Sequence, residues 1–63
     1  MKVYYISYKS LNSDERDELY NKLNGFSFMT NIDLKNHYFV VYWNSSEDIT
    51  KVIDFPEGCS ISQ

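Results

Sequence analysis

A chain of 63 residues is read as one domain over residues 1–63, small enough to bury a comparatively low fraction of its surface. The formal charge of −3 and the pI near 4.8 argue against long-range attraction to a phosphate backbone, and the basic residues Lys2, Lys9, Arg16, Lys22, Lys35 and Lys51 are scattered rather than clustered. One cysteine and one histidine exclude an internal disulfide and a zinc site of soft ligands, so extra stability is expected from a dense aromatic core or from association.

Val3 to Lys9 (VYYISYK) reads as a first strand, with Val3 and Tyr5 on one side and Tyr4, Ile6 and Tyr8 on the other. Asn12 followed by Glu15 has capping-box spacing, with Ser13 a second candidate cap, so a helix is predicted from about Ser13 to Asn24. Leu19 and Leu23, with Tyr20 and the aliphatic stem of Arg16, make its inward stripe, and Gly25 suits the left-handed position that ends it. Phe26 to Leu34 is predicted as a half-buried edge strand, with Phe26, Phe28, Thr30, Ile32 and Leu34 on one face. A turn through Lys35-Asn36 leads into a third strand, Tyr38 to Trp43 (YFVVYW), apolar on both faces. Asn44 with Glu47, or Ser45 with Asp48, offers a cap for a second helix from about Ser46 to Asp54, with Ile49, Val52 and Ile53 inward and Pro56 as its stop. Gly58 then frees a turn into a thin last strand, Cys59 to Ser62.

The order β-α-β-β-α-β predicts an α+β fold of the ferredoxin-like, split βαβ kind: a four-stranded antiparallel sheet with two helices on one face. The first and third strands lie at its centre, and their second apolar face is left open. No apolar run approaches the roughly 20 residues that span a bilayer, and the N-terminus enters strand pattern without a signal-peptide core. The expectation is a soluble, cytoplasmic protein with no membrane contact, to which the free thiol of Cys59 is suited.

Two surfaces are candidates for function. Both helices are expected to run antiparallel to the central strands they follow, which puts their N-termini at the same end of the molecule, so Asp14, Glu15, Asp17 and Glu18 approach Glu47 and Asp48 in one acidic patch, able to dock a basic partner or to imitate phosphates. The plainer reading of the same residues is capping and compensation of the helix dipole. The second surface is the open sheet face, which shows Tyr5 with Tyr38, Val40 and Tyr42, or, one residue out of register, Tyr4 and Tyr8 with Phe39 and Trp43. Keeping the least polar set of Ile6, Phe39 and Val41 inside favours Tyr5, Tyr38 and Tyr42 outside. Aromatic side chains on central strands stack bases in RNA-recognition domains, but these strands lack Lys or Arg and the glycine-and-aromatic signature of that class. A protein partner or a second copy is therefore expected there, and direct nucleic-acid binding is not.

Catalysis is not expected. No Gly-rich phosphate loop, zinc spacing or paired carboxylate with an evident electrophile appears, and no cofactor is implied. A Cys59–His37 nucleophile pair is set aside because the two are expected on opposite edges of the sheet. The opening YYISYKS, the helix with Leu19 and Leu23, and the block YFVVYWNSSEDITKVI resemble the small ferredoxin-like subunit of the CRISPR spacer-integration complex and its toxin-like relatives. In those proteins an aromatic strand ends in an acidic residue and a third strand leads into a Ser-Glu-Glu type helix start. Here Lys9 and Ser10 stand where that acid is expected, so nuclease chemistry is not carried over, and the resemblance implies a dimer formed through the sheet or its edge. The resulting expectation is a small acidic, non-enzymatic partner-binding protein. Its most concrete form is a phage or mobile-element inhibitor that blocks a nucleic-acid-handling protein by mimicking DNA phosphates. The alternatives are a single-stranded nucleic-acid binder and a homodimeric structural or adaptor protein.

Overall fold

The computed structural model describes residues 1–63. It contains β1 (Lys2–Ser7), α1 (Ser13–Phe26), β2 (Met29–Asp33), β3 (Tyr38–Trp43), α2 (Ile49–Val52) and β4 (Ser60–Ser62). The strands form one sheet in the order β2-β3-β1-β4 with every neighbouring pair antiparallel, the ferredoxin-like arrangement read from the element order.

Register decides the two faces. Tyr4 pairs with Val41 and Ile6 with Phe39, and these residues are buried together with Tyr8 and Trp43 under Leu19 and Leu23 of α1 and Ile49 and Ile53 around α2. Strict alternation along β3 leaves Tyr38, Val40 and Tyr42 on the other face, as the favoured register predicts. Four aromatic residues, Tyr4, Tyr8, Phe39 and Trp43, pack in the core among aliphatic ones, and the Phe39 ring lies 4.8 Å from that of Tyr8 and 5.9 Å from that of Tyr20.

Three elements differ from their predicted extents. Helix α1 runs through Gly25 to Phe26 and ends at Ser27, whose N–H donates to Leu23 O at 2.9 Å, so Gly25 is a helical residue and not a left-handed terminator. Helix α2 is a single turn, starting not at Ser46 but after Asp48, whose Oδ1 accepts from Thr50 N at 2.8 Å. The residues before it are held as a loop by the Trp43 indole N–H, which donates to Glu47 O at 2.8 Å, and by Ser45 Oγ, which accepts from Glu47 N at 3.1 Å. Strand β2 begins only at Met29, and of the five residues expected on its inward face only Thr30 is buried. Phe26, Phe28, Ile32 and Leu34 are exposed, because β2 is an edge strand and the helices pack over β1 and β3.

Candidate protein-binding face

The open face is built from three cross-strand rows. Val3 lies beside Tyr42 and Met29; Tyr5 lies beside Val40 and Asn31, with Ser62 on its other flank; Ser7 lies beside Tyr38 and Asp33, with Ser60 on its other flank. Tyr5 and Tyr38 meet diagonally edge to face, ring centroids 6.4 Å apart at 82°. Tyr5 is exposed and Tyr38 and Tyr42 are half-buried, so the three predicted tyrosines share one surface with Val3, Val40 and Met29. None of these strand positions is a Lys or Arg. Such a surface offers aromatic area, phenol hydroxyls and no cation to pair with a phosphate.

The expected single acidic patch is not formed. Because β1 pairs antiparallel with β3, with Ser7 opposite Tyr38 and Lys2 opposite Trp43, the end of β1 and the end of β3 lie at opposite ends of the sheet. Helix α1 starts at the first and α2 at the second, which separates Asp14, Glu15, Asp17 and Glu18 from Glu47 and Asp48. Several of these acids also have local partners. Glu15 closes a capping box, its N–H donating to Asn12 Oδ1 at 2.8 Å while its Oε1 accepts from Asn12 N at 3.0 Å. Glu18 pairs with Lys22 at 3.3 Å and Asp17 with Arg16 at 3.5 Å, both at the surface. Asp48 is held below the usual carboxylate range by the Thr50 hydroxyl and N–H, with Lys51 and Lys2 adding positive charge nearby.

His37 and Cys59 are closer than expected. His37 heads β3, a central strand, and its carbonyl accepts from Tyr8 N at 3.0 Å; Ser7 pairs with Ser60, which sets Cys59 on the other side of Tyr8. Two strand spacings of about 4.8 Å each separate them, with Tyr8 between. Burial pushes the Cys59 thiol up, and the Glu15 carboxylate pushes it further, the reverse of what an attacking thiolate requires. The protein holds no group of three or more His, Cys, Asp or Glu side chains placed to bind a metal ion. Its one cleft is shallow, about 160 Å³, and lies between α1 and the chain after α2, lined by Glu15, Glu18, Leu19, Lys22, Asp54 and Pro56.

Two features went unread in the sequence. Asp33 organises the β2–β3 turn, its Oδ1 accepting from Lys35 N and Asn36 N at 3.1 Å each and its Oδ2 from Asn36 Nδ2 at 3.0 Å. The signal was present as an Asp three residues before an Asn in a turn. His37 closes that turn at φ 60°, a left-handed conformation that, glycine apart, asparagine, aspartate and histidine adopt most often. No helix is long and apolar enough to cross a membrane. Comparison with protein-family models, with curated proteins and with solved structures finds no match for this chain, so the resemblance drawn from its strand and helix pattern stands without a family assignment.

Proposed function

We propose that this chain is a non-enzymatic partner-binding protein whose contact surface is the open sheet face, and that its partner is another protein presenting an apolar patch. The observation that carries this reading is the gathering of Tyr5, Tyr38 and Tyr42 with Val3, Val40 and Met29 on a face without a single basic side chain. Aromatic and aliphatic residues concentrated on one face, with Asp33 at its margin as the one charged group among them, are the composition of a contact core with a polar rim. An inhibitory or adaptor role of the kind expected from the sequence fits such a surface. Phosphate mimicry by all six acids as one row draws no support from a geometry that divides them between two ends.

The test compares wild type with a Tyr5→Ser, Tyr42→Ser variant, after checking that both give the same circular dichroism. A protein captured from cell lysate by wild type should bind the variant at least about tenfold more weakly, the loss of roughly 1.4 kcal/mol that truncating one hot-spot aromatic exceeds. Equal affinity would remove the sheet face from the function. An oligonucleotide titration at low salt is the second arm. Quenching of tyrosine emission there would replace the protein partner with single-stranded nucleic acid. Trp43 is not a probe of that stacking, being 1% exposed.

A further inference from the structure

The sheet has two edges, and they are managed differently. β4 is three residues long and flanked by serines, a short polar edge that offers little to pair with. β2 is five residues long, with no proline, lysine or arginine in it, and no strand lies on its outer side. Alternate residues along such a strand point N–H and C=O outward into solvent. Around this edge stand the largest exposed apolar side chains of the protein apart from Met1 and Tyr5: Phe26 (61%), Phe28 (64%), Met29 (42%), Ile32 (43%) and Leu34 (73%).

We propose that two copies of this chain pair through β2, antiparallel and centred on Asn31, to form one continuous eight-stranded sheet. The sequence of the strand is self-complementary in that register. Asn31 faces Asn31 of the second copy, Thr30 faces Ile32, Met29 faces Asp33, and beyond the strand Phe28 approaches Leu34. Asp33, the only charged residue in β2, meets Met29 and never its own copy, so no like charges oppose each other. The two-fold relation satisfies the free edge of both copies at once, as an isologous interface requires. At these exposures the five side chains leave on the order of 500 Å² per copy in water. Covering them in both copies, with the paired backbone, brings the contact to about 1,000 Å², the lower bound of a specific interface. Both tyrosine faces fall on the same side of the joined sheet, since in-plane pairing keeps like faces together.

The experiment is sedimentation of the full chain across a wide range of concentration, with two variants. Wild type should reach twice its 7.5 kDa mass. Ile32→Lys, which places a charge on the edge at a position already partly exposed, should stay monomeric with unchanged circular dichroism and buried-tryptophan emission. In a Cys59→Ser background, Asn31→Cys should cross-link under mild oxidation, because directly opposed Cα atoms lie about 4.5–5.5 Å apart, within disulfide reach. Met29→Cys should not, its counterpart being roughly 14 Å away along the strand. A wild type that remains monomeric throughout would overturn the proposal. So would a dimer that survives Ile32→Lys and fails to cross-link at Asn31.

Discussion

Gly25 shows how a single residue can carry the wrong signal. Asn24-Gly25 reads as a helix terminus, yet Gly25 sits inside α1 with a helical backbone, and a Cβ built on it meets nothing within 4 Å. A glycine in that setting costs conformational entropy without gaining a turn. Gly25→Ala is expected to stabilise the protein by about 0.4–1 kcal/mol, a rise in Tm of several degrees for a domain of this size, readable in a thermal melt followed by circular dichroism. The helix ends instead where Ser27 turns extended, and its hydroxyl meets that of Thr30 at 2.8 Å as the chain enters β2. A contact between two small polar residues three apart has no distinctive pattern, so the terminus was not legible. The start was, because Asn12 and Glu15 satisfy each other's backbone within one turn.

At the scale of elements, legibility followed how much each one depends on its neighbours. β3 was read to the residue because its period-two alternation is fixed by burial between sheet and helices. α2 was read as nine residues and is four, because a tertiary contact, the Trp43 indole N–H on Glu47 O, holds the residues that its caps would have started. The β2–β3 hairpin depends on one carboxylate. Hydrogen bonds from the Asn36 side chain and backbone, with Lys35 helping, hold Asp33 below its ordinary value of 3.8. A carboxyl lowered in the folded state stabilises that state above its unfolded pKa and loses the contribution as pH falls through the folded one. The hairpin is therefore expected to weaken as pH drops below about 3.8, and Asp33→Ala should be less stable than wild type at neutral pH, with the difference closing in acid. Amide exchange or chemical shifts of Lys35 and Asn36 against pH would follow it. An Asp33→Ala difference that persisted undiminished in strong acid would show that its carboxylate charge is not the cause.

Across the whole molecule the margin for error is small. At about 0.05–0.15 kcal/mol per residue a domain of this length holds roughly 3–9 kcal/mol, and truncating one buried aromatic removes about 3–5. Phe39 is fully buried against Tyr8 and Tyr20, so Phe39→Ala is expected to remove a large part of that margin and to lower Tm by roughly 12–40 °C, seen as a red shift of the Trp43 emission at a correspondingly lower temperature. The tyrosine face was legible because inside and outside are set by the same alternation that sets the core. The acidic patch was misplaced because its location depends on strand direction, and the two central strands run opposite ways. That opposition also separates charge. The end where α1 begins carries Asp14, Glu15, Asp17, Asp33 and Glu57 against Lys9, Arg16 and Lys35, five acids to three bases, while at the other end Lys2 and Lys51 balance Glu47 and Asp48. The protein is thus an electric dipole along its strands, negative where α1 starts. In the field of a basic surface it turns that end forward before any contact forms, so it arrives already oriented, with its tyrosines side-on to the direction of approach.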